Sequence, residues 1–221
     1  MNEARAWPSL ARPENFFDRA RTRLTLEVPP ALTDPEAKGA RGDLDLNPAL
    51  WERAGVSATR PAAVLVPVID RDELTVLLTI RTQELSNHAG QVAFPGGKID
   101  PEDESPVAAA LREAKEEIGL APMLVEPLGY LDLYLTFTGF RILPTVARIK
   151  PDFMLDLNPR EVTESFEVPL KFLMTPENHQ RKSRDWKGVT REYYAMPFEN
   201  RYIWGATAGI LRNLYERVCD A

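Results

Sequence analysis

The sequence predicts an α/β protein whose strands are covered by helices on both sides, in a layered α/β/α arrangement. Three observations predict this class. Apolar, β-branched runs alternate with polar turns from residue 61 onward. A helix with clear start and stop signals follows a glycine turn near residue 97, and an apolar stripe at helical spacing lies near the C-terminus. Such helices bury their apolar faces on a sheet.

The composition is that of an ordinary globular protein. Of 221 residues, 44% are hydrophobic and 27% are charged, which is enough apolar material for one sizeable core. The formal net charge of −6 argues against a nucleic-acid partner, because binding to a phosphate backbone requires a basic surface. The negative net charge is compatible with a small anionic substrate, since a bound metal ion inverts the local field.

Signals for export, membranes and disulfides are absent from the sequence. Cys219 is the single cysteine, and we expect it to be an incidental thiol near a frayed terminus. No run of ~18 apolar residues is present for a membrane span, and the first ten residues lack the apolar segment of a signal peptide. We therefore expect a cytoplasmic protein without a membrane partner, and a homodimer is the default expectation for its assembly.

Residues 1–60 form a predicted N-terminal arm with one or two helices. The first is expected at Pro13–Leu24 and the second near Pro48–Ala54. Val28–Asp45 holds three prolines and several acids, so we expect a connecting loop there. The apolar stripe of the first helix comprises Phe16, Phe17, Ala20 and Leu24.

Residues 61–221 form the predicted main domain, which opens with a hairpin. Ala62–Ile69 and Leu74–Ile80 are apolar strands on either side of a polar turn, and a short strand, Val92–Phe94, leads into the glycine turn. The elements expected after the central helix are strands at Gly129–Thr136 and Arg141–Ile149, a short helix at Val168–Met174, a hairpin of Gln180–Trp186 with Arg191–Phe198, and a helix at Ala206–Val218.

The central helix, predicted at Pro106–Ile118, has both ends marked by its sequence. Ser105 is a good N-cap, Pro106 suits the first helical position, and Gly119 can adopt the left-handed conformation that ends a helix. Two stripes lie ~140° apart on it. The apolar stripe comprises Val107, Leu111, Ala114 and Ile118, and the acidic stripe comprises Glu113, Glu116 and Glu117.

The acidic stripe indicates a divalent cation site. Glu113 and Glu117 are like charges at i, i+4, which destabilises a solvated helix by about 0.2–0.5 kcal/mol. Arg112 reaches Glu116, and no residue of the helix is expected to neutralise the other two. Clustered oxygen donors favour the hard ions Mg²⁺ or Mn²⁺. A solvated acidic face is the competing interpretation of the same glutamates.

The segment Arg112–Leu120, which reads Arg-Glu-Ala-Lys-Glu-Glu-Ile-Gly-Leu after a glycine loop, resembles the signature of the Nudix hydrolases. Two departures concern Glu104, which stands one residue further from Gly97 than in the family, and Ala114, which replaces a larger aliphatic residue. We place the extra residue in the loop. The resemblance implies a Nudix-like fold, an α/β/α sandwich with a mixed sheet, and metal-dependent hydrolysis of a diphosphate linkage.

A second stretch, Leu77–Gly97, resembles the coenzyme A pyrophosphatase branch of that family, and Glu161–Leu173 and Ile203–Glu216 resemble its downstream segments. This resemblance implies cleavage of coenzyme A or its derivatives to 3′,5′-ADP and 4′-phosphopantetheine or its acyl form. The matching residues upstream are Thr79, Arg81, His88, Gly90, Phe94 and Pro95.

Residue roles follow from the resemblance together with the chemistry of each side chain. We expect Glu113 and Glu117 to be direct metal ligands with Glu116 assisting, and the carbonyl of Gly96 to join the metal shell. Glu116 and Glu117 are also expected to act in catalysis. Arg112 is expected to orient a glutamate without touching substrate.

The general base is left open between a signature glutamate and two downstream acids, Glu161 and Glu164. The function has alternatives as well. One is a Nudix pyrophosphatase that acts on another nucleoside diphosphate derivative such as ADP-ribose. The other is a non-catalytic nucleotide-binding module, which the intact set of signature glutamates disfavours.

Four residues of the glycine-turn region are expected to bind substrate: Arg81, His88, Phe94 and Gly97. Arg81 is suited to pair bidentately with a phosphate, or it forms a surface salt bridge. His88 either contacts a phosphate or ties its loop together. Trp204 either stacks on a base or fills the core, and the core is the simpler expectation. Phe137 and Phe140 are each assigned either to the core or to a pantetheine-facing wall.

Overall fold

The computed structural model describes residues 13–34, 40–43, 45–48, 60–84, 88–186 and 188–220. The second predicted N-terminal helix, Pro48–Ala54, lies outside these residues except for its first position. Within the described ranges, no helix is both long enough and apolar enough to cross a bilayer.

A nine-stranded sheet forms the centre of the molecule. The strands are β1 (Ala40–Gly42), β2 (Arg60–Ile69), β3 (Thr75–Arg81), β4 (Val92–Ala93), β5 (Gly96–Lys98), β6 (Val125–Tyr130), β7 (Leu133–Leu135), β8 (Phe140–Ile149) and β9 (Val162–Pro169). Their hydrogen-bonded order is β1-β7-β8-β2-β3-β4; in addition, β5 pairs with β2, β6 pairs with β8 and β9 pairs with β3. Strands β2 and β8 run parallel along their whole length, whereas β2 and β3 are antiparallel, so the sheet is mixed.

A second, antiparallel sheet of three strands follows in the chain. It consists of β10 (Gln180–Trp186), β11 (Val189–Phe198) and β12 (Arg201–Trp204). The helices are α1 (Pro13–Arg23), α2 (Pro106–Ile118), α3 (Leu170–Leu173) and α4 (Ala206–Leu214), which continues as a π-helical turn at Tyr215–Cys219. Short 3₁₀ turns lie at Pro30–Leu32, Pro122–Leu124 and Pro176–Asn178.

The two faces of β2 show how the layers are built. Ala63, Leu65 and Ile69 point to the same face of the sheet, because alternate residues of a strand face opposite sides. On that face they pack with α2. Val66 and Val68 point to the other face. Their partners there, from α1 and α4, are Phe16, Phe17, Ala20, Ile210, Leu211 and Leu214. Helices therefore cover both faces, and the predicted α/β/α sandwich is confirmed.

Helix α2 begins and ends where its capping residues predict. The Ser105 hydroxyl accepts a hydrogen bond from the Ala108 N–H at 3.1 Å. Gly119 has φ +70°, and its N–H donates to the Lys115 carbonyl at 3.0 Å. The buried face differs from the predicted stripe, since Val107 and Leu111 are only half-buried. The buried residues of the helix are Pro106, Ala109, Ala110, Ala114, Glu117 and Ile118.

The N-terminal segments pack directly on the sheet. Helix α1 forms as predicted, and its apolar stripe is buried. The prediction of a plain loop over Val28–Asp45 is wrong in part, because this segment contains a 3₁₀ turn and strand β1, which pairs in parallel with β7. The assignment of residues 1–60 as an arm and 61–221 as the main domain stays a prediction.

Three predicted elements differ from the observed ones. Gly129–Thr136 is not one strand but parts of β6 and β7, which both pair antiparallel with β8 and are separated by Leu131 and Asp132. The predicted helix Val168–Met174 starts only at Leu170, because Val168 pairs with Val76 as part of β9. The C-terminal helix changes to π geometry after Leu214. Strands β5, β9 and β12 were not predicted, and the sequence analysis assigned the residues of β5 to the glycine turn.

Cys219 is a core residue and not part of a frayed terminus. Cys219 is 1% exposed and belongs to the core cluster that includes the apolar residues of α1 and α4. Burial raises the pKa of its thiol to about 12. The expectation of an incidental thiol near a frayed terminus is therefore wrong.

Candidate functional site

Three carboxylates converge beside the glycine turn. Glu113 and Glu117 lie one turn apart on α2, and Glu161 immediately precedes β9. One oxygen of each lies within 4.8 Å of the others. The fold brings Glu161 to the helix because β9 pairs with β3, whose Arg81 lines the same region.

Glu117 is the buried member of this carboxylate cluster. Its side chain is 3% exposed. The Gly96 N–H donates to its Oε2 at 3.0 Å, and Arg81 Nη1 lies 3.5 Å from its Oε1. Burial outweighs both contacts and raises the pKa of Glu117 to about 7. Burial also raises the pKa of Glu113, against the opposing effect of Arg112.

Arg112 connects the glycine loop to the helix. Its Nη1 donates to Glu113 Oε1 at 2.9 Å, so the expectation that nothing on the helix neutralises Glu113 is wrong. Nε and Nη2 donate to the two carboxylate oxygens of Asp103, and Nη2 also reaches the Lys98 carbonyl. The hydrogen bonds from Arg112 lower the pKa of Asp103. Asp103, which the sequence analysis did not single out, thus contributes to holding Glu113 through Arg112.

Glu116 does not join the carboxylate cluster. Its side chain is 56% exposed and lies 3.6 Å from Arg112 Nη1, the i, i+4 contact that the sequence predicts. One helical position separates it from Glu117, and the ~100° rotation between them turns its carboxylate away. The geometry therefore gives no support to the predicted ligand and catalytic roles of Glu116.

The two glycines of the turn leave space for this arrangement. Gly96 has φ +148°, and a Cβ there would lie 2.4 Å from the Ala63 carbonyl oxygen on β2. A Cβ on Gly97 would lie 2.4 Å from the carboxyl carbon of Glu113. Only glycine lets the turn approach both the sheet and the helix carboxylate this closely.

The two candidate general bases are in different surroundings. The Asn158 side-chain amide donates to Glu161 Oε1 at 3.0 Å, which holds that carboxylate near Glu113 and Glu117. Glu164 instead pairs with Arg201 on β12. The structure thus brings Glu161 to the cluster and leaves Glu164 outside it.

A cavity of about 990 Å³ adjoins the carboxylate cluster. The four predicted substrate-binding residues, Arg81, His88, Phe94 and Gly97, all line it. His88 also ties its loop, because its Nδ1 lies 2.9 Å from the Gln91 side-chain oxygen. Phe94 is buried and packs mainly with the core.

The three-stranded sheet supplies another part of the cavity lining. Tyr193 and Trp204 lie there with ring centroids 5.4 Å apart, and the Arg184 guanidinium lies 5.7 Å from the Trp204 ring centroid. Trp204 is half-buried and lines the cavity, contrary to the simpler expectation that it fills the core. Phe137 also lines the cavity, under the Arg191 guanidinium.

Asp43 and Asn47, from the N-terminal region, bind residues of the cavity wall that the three-stranded sheet and Phe137 form. The Asn47 side chain accepts from the Glu192 N–H at 2.8 Å and donates to the Glu192 carbonyl at 2.9 Å. Asp43 accepts hydrogen bonds from the Tyr134 hydroxyl and the Phe137 N–H. Neither residue was predicted from the sequence, since an isolated Asn or Asp in a proline-rich stretch carries no signal for such long-range contacts.

The donor set of the cluster fits a hard divalent cation. Carboxylate oxygens are the ligands that Mg²⁺ and Mn²⁺ prefer. Three acids meet here, one of them buried, with Arg81 and Arg112 as their adjacent cations. An additional positive charge would favour the ionised form of Glu117 and so offset the effect of burial.

Comparison with known proteins agrees with this geometry. The NUDIX domain family model matches residues 59–192. The chain is 41% identical over 163 residues to a protein of Yersinia pestis (strain Pestoides F) described as an uncharacterized Nudix hydrolase, NudL, and the match covers 73% of this chain and 82% of that protein.

Solved structures with similar folds align less closely. An Ap4A hydrolase of C. elegans has 21% identity and a TM-score of 0.42 over 50% of this chain and 80% of its own. DR0079 of Deinococcus radiodurans has 13% identity and a TM-score of 0.48, and the match covers 72% of this chain and 84% of DR0079. The family rests on the domain match and the NudL relative, which agree with the signature helix and its carboxylates: the chain belongs to the Nudix hydrolase family.

Proposed function

We propose that the protein hydrolyses the pyrophosphate of coenzyme A and its derivatives to 3′,5′-ADP and 4′-phosphopantetheine or its acyl form. The observation that carries this proposal is that one cavity of about 990 Å³ is lined both by the carboxylate cluster and by Arg81, His88 and Phe94. These three residues belong to the stretch that resembles the coenzyme A branch. The volume lies at the upper end of the range for ligand pockets, which suits a substrate larger than a nucleoside diphosphate.

Glu113 and Glu117 are the proposed ligands of a divalent ion, Mg²⁺ or Mn²⁺, with the carbonyl of Gly96 beside them. When bound, such an ion supplies positive charge that stabilises the negative charge developing on the phosphoryl oxygens. Arg112 keeps Glu113 in place through its 2.9 Å hydrogen bond. Gly96 does the same for Glu117 through its N–H.

Glu161 is the proposed general base. Its carboxylate lies in the cluster, where it can accept the proton of the water that attacks phosphorus. Asn158 orients it by donating to Oε1. Arg81 is the proposed phosphate-binding residue, because its guanidinium already faces the anionic centre and can turn to the diphosphate once a cation balances Glu117.

A product assay tests the proposed substrate. Coenzyme A and ADP-ribose are offered separately with Mg²⁺, and the products are separated by chromatography. We expect 3′,5′-ADP from coenzyme A and a higher kcat/KM for it than for ADP-ribose. A higher kcat/KM for ADP-ribose would replace the proposed substrate with the alternative one.

A pair of variants tests the proposed base. Glu161→Gln should lower kcat by about 100-fold or more, as expected for loss of a general base, with Mn²⁺ affinity changed only a few-fold. Glu164→Gln, a matched change on β9, should retain most of the activity because Glu164 faces Arg201. If Glu161→Gln abolished Mn²⁺ binding, Glu161 would be a metal ligand and not the base.

A further inference from the structure

We propose that the three-stranded sheet carries a subsite for an adenine nucleotide with a second phosphate on its ribose. Trp204 and Tyr193 would hold the base, and Arg184 would bind the extra phosphate. The proposal deepens the proposed function, since coenzyme A carries a 3′-phosphate and ADP-ribose does not. We call these three residues the nucleotide subsite.

The aromatic pair is available to a ligand. Tyr193 and Trp204 lie on neighbouring strands, β11 and β12, at an interplanar angle of 68°. Both are only half-buried, and both line the cavity without belonging to the hydrophobic core clusters. A planar base gains stacking energy on such a ring regardless of its hydrogen-bonding edge.

Arg184 is suited to an anion. Its guanidinium lies 5.7 Å from the Trp204 ring centroid and lines the cavity. Within the described ranges, no carboxylate forms a salt bridge with it, whereas Arg181 on the same strand pairs with Glu192. An arginine beside an aromatic ring can contact a phosphate through two N–H groups while the base lies on the ring.

The nucleotide subsite and the carboxylate cluster are connected in the structure. Both sets of residues line one continuous cavity. Strand β4 leads into the glycine turn, and β12 leads into α4, whose Thr207 hydroxyl donates to the Val92 carbonyl of β4 at 2.9 Å. This contact ties the start of α4, beside Trp204, to the turn that carries Gly96 and Gly97. A substrate with its diphosphate at the carboxylates can therefore extend its nucleotide end along this wall.

Calorimetric titration of the metal-free protein with 3′,5′-ADP and, separately, with 5′-AMP tests the subsite without turnover. We expect the wild type to bind 3′,5′-ADP at least about 10-fold more tightly, the effect of one charge-assisted hydrogen-bonded contact. Arg184→Gln should remove this preference and Arg184→Lys should retain part of it. Trp204→Leu should lower the affinity for both nucleotides by a similar factor.

Arg181→Gln is the matched control, because Arg181 has the same charge on the same strand but does not line the cavity. It should leave both affinities unchanged. An unchanged preference in Arg184→Gln, or equal affinity of the wild type for both nucleotides, would overturn the subsite. Because binding is measured without catalysis, a protein that fails to cut coenzyme A yet shows this pattern would refute only the proposed function.

Discussion

Replacing the buried glutamate of the cluster should stabilise the metal-free protein. The pKa of Glu117 rises from its ordinary value of 4.5 to about 7, chiefly because burial disfavours the charged form. Each pKa unit corresponds to ~1.4 kcal/mol, so ionising Glu117 costs the folded state about 3 kcal/mol relative to the unfolded chain. The side chain is 3% exposed, and solvent screening therefore reduces this value little.

The sign of the pH dependence follows from the raised pKa. Below pH 4.5 the carboxyl is protonated in both states, and its contribution to stability is fully present. As the pH rises toward and through 7, the unfolded chain releases its proton more readily than the folded one, and that stability is lost. Glu117→Gln keeps a neutral side chain at every pH and should not show this loss.

Urea unfolding in EDTA measures the effect. Between pH 4 and pH 8, the free energy of unfolding of the wild type should fall by about 3 kcal/mol relative to that of Glu117→Gln. Glu116→Gln is the matched control on the same helix, and as an exposed substitution it should change stability by less than ~0.5 kcal/mol. A constant difference between wild type and Glu117→Gln across this pH range would refute the assigned burial effect.

Three further predictions follow from the packing. Ile118→Ala should lower the free energy of unfolding by ~2–5 kcal/mol, whereas Leu111→Ala should cost less because Leu111 is only half-buried; urea unfolding measures both. Gly97→Ala should keep the fold but weaken Mn²⁺ binding by about 10-fold or more in calorimetry, because the new methyl group displaces the flexible carboxylate of Glu113; unchanged affinity would contradict this. Cys219 should resist a thiol reagent at pH 8 until urea unfolds the chain, and rapid labelling of folded protein would contradict its burial.

Local chemistry made α2 predictable from the sequence. Ser105 and Gly119 act within one turn of the helix ends, so their effect does not depend on the rest of the fold. The hairpin of β2 and β3 was equally predictable from the sequence, since its apolar runs flank a polar turn. The buried face of α2 was harder to predict from the sequence. The sheet packs closely against the small alanines of the helix, and Leu111 lies at the edge of the buried surface.

Strand β9 shows where the local signal was overlooked. Phe166 and Val168 are buried at alternate positions, which is the periodicity of a strand. The neighbouring residues Glu164 and Glu167 obscured this pattern. Because β9 was missed, the sequence could not show that Glu161 meets α2 while Glu164 turns to Arg201, a difference set by pairing with β3.

The site residues of α2 could be narrowed from the sequence to three glutamates, and the family resemblance placed Glu113 and Glu117 ahead of Glu116 as metal ligands. Glu113 and Glu117 point to the cluster, and Glu116 points to solvent and Arg112. This ranking depends on the rotation of the helix about its axis, which the sheet fixes. The partner of Arg112 likewise depends on the path of the glycine loop, which brings Asp103 to its guanidinium.

Binding of Mn²⁺ measured by isothermal titration calorimetry at pH 8 tests the central claim most directly. We expect saturable binding to the wild type, unchanged in Glu116→Gln and lost in Glu117→Gln. Of these two glutamates, Glu117 belongs to the carboxylate cluster and Glu116 does not. Absence of saturable binding to the wild type, or undiminished binding to Glu117→Gln, would contradict the claim that this cluster holds a divalent cation.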